Sequence, residues 1–274
     1  MEFIIENEGG LRLGIFGAVM ALMMGLEAMF ARKKRTQGRG HRWLTNLLII
    51  VVDSLTVRLI FPIVAAGAAL WAQAKGFGLL NVTNFPLWLD ITISVIILDM
   101  MIYWQHVASH KIPMLWALHQ MHHVDRDIDA TTGIRFHPIE IIASMLYKML
   151  CIIILGAPMA AVIIFEITLN ASAVFNHANM RLPLKLDAVI RKFLVTPDMH
   201  RVHHSVIPAE TNSNYGFALS IWDRLFGSYI DQPREGHDSM IIGLPHHQHD
   251  GPSSLIWSLI LPFGRGLKRA RQWL

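Results

Sequence analysis

The side chains best suited to chemistry in this sequence are imidazoles. Eight of the 15 histidines fall in three spaced groups: His106 and His110; His119, His122 and His123; His200, His203 and His204. On an α-helix, positions i, i+3 and i+4 share a face, so each H-x-x-H-H can present three imidazoles to one point. Neutral imidazole binds Fe, Zn, Cu and Ni through a ring nitrogen. Eight such nitrogens are too many for one ion and suit two ions with coordination positions left open. A nearby pair of metals with open positions is a reactive centre rather than a structural staple. The chain has a single cysteine, so an internal disulfide framework and a multi-cysteine zinc or iron–sulfur site are both excluded.

The elements that must position these groups are membrane helices. Hydrophobic residues make up 53% of the 274, and charged residues only 16% against roughly 25% in soluble domains. A disordered chain is excluded, and the balance points away from a soluble globule. Apolar stretches at residues 13–30, 44–72 and 86–104 read as three transmembrane helices. The first, with its acidic N-terminal flank and no cleavage site, is not a secretory signal. The second contains Asp53 and Arg58, expected to form a structural pair rather than a proton path. A fourth apolar region, 139–175, is broken by Gly156, Ala157 and Pro158 and reads as a helical hairpin, either two tight spans or a re-entrant pair. The expected fold is all-α: a polytopic membrane bundle of three spans plus a hairpin, with a helical, histidine-rich catalytic region. Residues 1–104 form the N-terminal transmembrane part, 105–235 the catalytic region with the hairpin inside it, and 236–274 a cytoplasmic tail.

Charge placement orients the bundle. Arg32, Lys33, Lys34, Arg35, Arg39 and Arg42 crowd one loop, and Arg265, Lys268, Arg269 and Arg271 close the chain. No nucleic-acid-binding motif accompanies them, and flanking apolar segments they act as topology determinants under the positive-inside rule. With the 31–43 loop in the cytoplasm, all three histidine groups face the cytoplasm too.

The set H-x-x-x-H, H-x-x-H-H, H-x-x-H-H on a multi-span protein resembles the fatty acid hydroxylase/sterol desaturase superfamily. The likeness extends from about residue 99 to 229. It includes Thr131-Thr132-Gly133-Ile134-Arg135-Phe136-His137-Pro138, Phe175-Asn176-His177-Ala178-Asn179, Asn214-Tyr215-Gly216 and Trp222-Asp223-Arg224-Leu225-Phe226-Gly227. It is greatest to uncharacterised bacterial members, which implies a bacterial inner membrane. The resemblance implies a non-haem diiron centre, O2 as cosubstrate, and hydroxylation or desaturation of a sterol or fatty acyl C–H bond in lipid biosynthesis. It also implies His177 as a ninth ligand. With no cytochrome b5 domain fused, electrons must come from a separate protein of cytochrome b5, ferredoxin or rubredoxin type. Two positions depart from the pattern: Val107 stands where many members carry Arg, and Arg181 where fatty-acyl 2-hydroxylases carry another His.

A ligating imidazole needs its second nitrogen held by an acceptor. Asp99, Glu140, Asp198 and Asp223 lie beside the histidine groups or motifs and are candidates, with Asn179 and Asn214 for similar work. Arg135 and His137 are candidates for supporting contacts or for a lipid head group. Met145 and Met149 could wall a substrate tunnel, but bundle packing explains them equally well. His246, His247 and His249 read as solvated loop residues, and His41 and His237 have no assigned role. Two other functions fit the sequence less well. A membrane zinc hydrolase lacks support because neither H-E-x-x-H nor G-x-S-x-G occurs. A metal-binding transporter or scaffold would place its site at mid-bilayer, whereas these histidines follow the span ends.

Overall fold

In hydrocarbon a spanning segment must satisfy its own backbone hydrogen bonds, so the apolar runs of this chain form helices. The computed structural model describes residues 7–263 apart from Pro62; Arg265, Lys268, Arg269 and Arg271 lie outside the described residues. The helices are α1 (Glu8–Met29), α2 (Arg39–Ile60), α3 (Ala65–Ala74), α4 (Leu87–Lys111), α5 (Pro113–His123), α6 (Pro138–Leu155), α7 (Met159–His177), α8 (Leu184–Ile190) and α9 (Pro197–His203). Short helices α10 (Pro208–Thr211), α11 (Ile221–Leu225), α12 (Gly236–Ser239) and α13 (Leu255–Ile260) follow. No β-strand occurs among the described residues. Among the described residues, five stretches are long and apolar enough to cross a membrane: α1, α2 with α3, α4, α6 and α7.

The second apolar run is not one helix. Phe61 stands before a proline, which disfavours the helical conformation, and it is extended at φ −108°, ψ 103°. The chain resumes as α3, whose Ala65, Ala66, Ala68, Ala69 and Ala72 are buried against α6 and α7. Asp53 and Arg58 form no ion pair, since a separation of five sets them on different faces of α2. The third run overshoots its apolar part: α4 continues to Lys111 and carries His106 and His110. The hairpin breaks where the sequence places the break. Gly156 caps α6 in the left-handed conformation at φ +69°, and Pro158 starts α7.

The core lies between α3, α4, α6 and α7, around Leu98, Ile102, Ile152, Val162 and Phe165. Met145 and Met149 pack against it instead of lining a tunnel. Helix α1 adds a second core by setting Met23 against Val174 and Ala178. It packs on α7 and on the 3-10 turn Ala130–Ile134, while α2 packs on α6, so α1 and α2 scarcely touch. Leu13, Leu55, Leu59 and Leu150 point outward, an apolar surface suited to lipid.

The basic loop after α1 is pinned at the histidine end of the bundle. Lys33 N donates to Asn179 Oδ1 at 2.9 Å, Arg32 pairs with Asp198 at 3.3 Å, and Arg42 pairs with Asp125 at 2.9 Å and with Asp129.

Candidate metal centre

Each functional histidine is aimed by a local device. The last two turns of α4 carry His106 and His110 on one face. Ile112 is extended and Pro113 restarts the helix as α5, turning His119, His122 and His123 back towards α4. Helix α7 ends on His177. Thr196 caps α9, its hydroxyl accepting from Met199 N at 3.4 Å, so that His200, His203 and His204 project inward. All nine side chains are buried.

The structure brings the nine together in two groups. One holds His106, His110, His119, His123 and His203; the other holds His122, His177, His200 and His204. Within each, the candidate ligand nitrogens lie within 4.8 Å of one another. Neither H-x-x-H-H box presents all three imidazoles to one point, which corrects the expectation from spacing. In each box the i and i+4 residues join one group and the i+3 residue joins the other. Adjacent helical residues point about 100° apart, so His122 and His123 straddle the two groups, their rings 86° from parallel. His203 and His204 do the same at 82°.

The ring nitrogens fit metal ions. His122 Nδ1 and His177 Nδ1 donate to the carbonyls of Arg135 and Ala173, at 3.2 and 2.7 Å. A neutral imidazole has one N–H, so each Nε2 carries a lone pair. Yet His122 Nε2 and His177 Nε2 are 2.9 Å apart, and His177 Nε2 and His200 Nε2 are 3.0 Å apart. Facing lone pairs repel without a cation between them. Nitrogens at right angles on one ion, about 2.1 Å from it, stand about 3 Å apart. In the other group His106 Nδ1 donates to Tyr215 O at 2.8 Å, His203 Nδ1 to Ser213 O at 2.6 Å, and His119 Nδ1 to Glu140 Oε1 at 2.6 Å. That leaves Nε2 of His106, His119 and His203 buried without a partner, as it is in His110, His123 and His204. So many orphaned buried nitrogens are abnormal unless an ion satisfies them.

Electrostatics favours the binding form. Burial first, and then the neighbouring imidazoles, hold His122, His123, His200 and His204 well below the ordinary imidazole range. Burial brings His203 down to about 3. These rings are neutral at physiological pH and free to donate a lone pair.

Of the carboxylate candidates, Glu140 alone reaches a histidine of the groups. Asp99 instead accepts from Ala218 N, Leu219 N and Trp222 Nε1. Asp223 accepts from Tyr215 N and Gly216 N at 2.7 and 2.8 Å, fixing the segment whose carbonyl holds His106. Asp198 holds Arg32 and Arg201 and lies 3.7 Å from the otherwise unassigned His237. Asn179 ties the basic loop to the residue pair after His177, and Asn214 ties Met199 to Ile230. The Arg135 side chain bonds Met121 O, Asn46 Oδ1, Pro252 O and Ser258 Oγ, while its own carbonyl holds His122. His137 caps α6 through Ile139 N and donates to Leu259 O, outside both groups. His247 is buried beside Trp257, not solvated, whereas His246 and His249 are exposed. The carbonyls of Ala173, Ser213 and Tyr215 carry no side-chain signal that a sequence could reveal.

A cavity of about 480 Å³ reaches the first group. His106 and His119 line it, with apolar walls from Phe16, Ile50, Ile102, Phe136 and Phe217. It extends between α1 and α2, the two helices that scarcely touch.

Comparison with known proteins identifies the family. The family model described as fatty acid hydroxylase matches residues 91–228, half of the chain. The chain belongs to the fatty acid hydroxylase family. The matched region contains all nine histidines of the two groups. Among curated members, an ornithine lipid hydroxylase of Rhizobium tropici is 31% identical over 55% of this chain and 45% of its own length. An alkylglycerol monooxygenase of Xenopus tropicalis is 32% identical over 53% of this chain and 30% of its own. A lathosterol oxidase of Mus musculus is 24% identical over 57% and 52%. The matches thus span about half or less of these relatives. No solved structure matches the chain.

Proposed function

We propose that this fatty acid hydroxylase family member is a membrane-bound, non-haem diiron oxidoreductase that uses O2 to hydroxylate or desaturate a lipid C–H bond. The observation that carries the reading is the pair of imidazole groups, with the lone pairs of His122 and His177 in the second facing each other at 2.9 Å. His106, His110, His119, His123 and His203 would hold one iron, and His122, His177, His200 and His204 the other. When bound, the irons supply the activation of O2 that an unactivated C–H bond requires. The chain's own part is to bring nine imidazoles together, five of them held from behind by an acceptor, to keep water out, and to admit an aliphatic chain. Nitrogen-only ligation by imidazole suits iron, and the relatives' names are those of lipid oxygenases and oxidases.

The substrate is a membrane lipid, entering between α1 and α2 so that its chain slides along the apolar cavity wall. Residues 105–235 are proposed as the catalytic region and 236–274 as a tail, with Pro252 and Ser258 buttressing Arg135. The groups face the cytoplasm of a bacterial inner membrane, where a separate cytochrome b5-, ferredoxin- or rubredoxin-like protein delivers electrons. Metal analysis of the purified protein tests the centre, with about two Fe per chain expected from the two groups. Lipidomics under 18O2 tests the reaction: an added oxygen-18 identifies hydroxylation, and loss of two hydrogens without label identifies desaturation. Zinc in place of iron, with activity unchanged under strict anaerobiosis, would overturn the proposal.

A further inference from the structure

Four charged side chains line the cavity that reaches His106 and His119: Arg12, Asp53, Glu140 and Lys148. Three of them are paired. Arg12 lies 2.8 Å from Glu166 and 3.8 Å from Glu8, and Lys148 lies 2.5 Å from Glu166, a chain of alternating charge. Glu140 is committed to His119. Asp53 is the exception among the described residues. It is 6% exposed, its Oδ1 has no hydrogen-bond partner, and its carboxyl joins no ion pair.

A carboxyl buried without a partner is costly in any protein, and inside a membrane span it is costlier. Its own helix offers no relief, because Arg58 does not reach it. A wall meant only for an alkyl chain would gain stability from Leu or Asn at this position. Uncharged polar residues line the same cavity: Ser54, Gln105, Ser144 and Asn170. Asp53 and Glu140 line the same cavity, and Glu140 holds a histidine of the first group. Asp53 therefore shares one cavity with His106 and His119 of the first group.

We propose that Asp53 recognises a hydrogen-bond-donating group of the lipid (a hydroxyl, an amide N–H or an ammonium) that lies a few bonds from the carbon that reacts. This inference rests on the proposed function and narrows its substrate class. The cavity takes amphiphiles whose polar, donor-bearing end is drawn in towards the metal centre. Lipids presenting only ester or ether oxygens near the reacting carbon leave Asp53 unsatisfied and bind poorly.

The test uses the full-length, iron-loaded protein in detergent and three probes of equal chain length: hexadecylamine, hexadecanol and hexadecyl methyl ether. Titration calorimetry on the wild type is expected to show the amine and alcohol binding roughly tenfold or more tighter than the ether. Asp53→Leu abolishes that preference and binds the ether at least as well as the wild type does. Asp53→Asn abolishes the amine preference but keeps part of the alcohol preference, because its amide oxygen still accepts. Asp53→Leu melts no lower than the wild type, since no intramolecular bond is lost; a lower melting temperature would mark Asp53 as structural and overturn the proposal. Equal binding of all three probes by the wild type, or an undiminished preference in Asp53→Leu, would also overturn it. The functional reading fails separately, if the preference is present but no lipid gains oxygen-18 or loses hydrogen.

Discussion

Glu140 Oε1 lies 2.6 Å from Nδ1 of His119, so a carboxylate at the start of α6 orients an imidazole on α5. The contact fixes the His119 tautomer and strengthens the lone pair on Nε2. Glu140→Gln keeps an oxygen acceptor but removes the charge, and should weaken metal binding by the first group about 10- to 100-fold. Glu140→Ala should weaken it further. The second group has no contact with Glu140, so competition with a calibrated chelator should show one metal released early and the other retained.

The division of each H-x-x-H-H box between two groups makes a sharper claim about neighbours. His123→Ala removes a nitrogen from the first group and His122→Ala one from the second. Each single variant should lose affinity at one metal only. The double variant should lose both. Adding His204→Ala to His122→Ala strips the same group again and should change stoichiometry little. Metal content of the purified variants checks this; equal loss from both groups in each single variant would show that the partition is wrong.

Gly133 is held against α7 by a close backbone approach. A Cβ there would lie 2.5 Å from the carbonyl oxygen of Ala173, the same oxygen that accepts from His177 Nδ1. Gly133→Ala must push the 3-10 turn off α7 or displace that oxygen. Overpacking of this kind costs about 1–3 kcal/mol. The expected result is a lower melting temperature together with weaker metal binding in the second group. Gly25→Ala, on the outer face of α1 with open space around it, should do neither.

These predictions mark how far the sequence was legible. Apolar run length located the spans, and the Gly156-Ala157-Pro158 break located the hairpin turn, because both follow from local backbone chemistry. Histidine spacing and the family motifs located all nine imidazoles that converge. Their sorting was not legible, because it depends on how α5 and α9 cross. The acceptors behind the rings were mostly backbone carbonyls, and Tyr215 O or Ser213 O leave no trace in residue types. Asp53 was visible as a charge in an apolar run, but its lack of a partner required the positions of α1, α2 and α6. Lys148 and Glu166 could have been noticed in the same way, as opposite charges in the two arms of one hairpin.

The last prediction concerns acid. Burial holds His203 at about 3, and His122, His123, His200 and His204 also lie well below the ordinary 6.5. In the unfolded chain these imidazoles take up protons as pH falls through about 6.5, while in the folded, metal-free protein they stay neutral. Unfolding therefore binds protons between those limits, and stability must fall as pH falls. It is fully present above the unfolded value and is lost progressively on the way down to the folded one. The metal-free protein should show a melting temperature that is flat above about pH 7 and declines steadily below about 6.5. Bound metal adds stabilisation without changing how the unfolded chain takes up protons, so the loaded protein should melt higher throughout and decline over the same pH range. A melting temperature of the metal-free protein that does not change across this range would mean the imidazoles are solvated rather than buried.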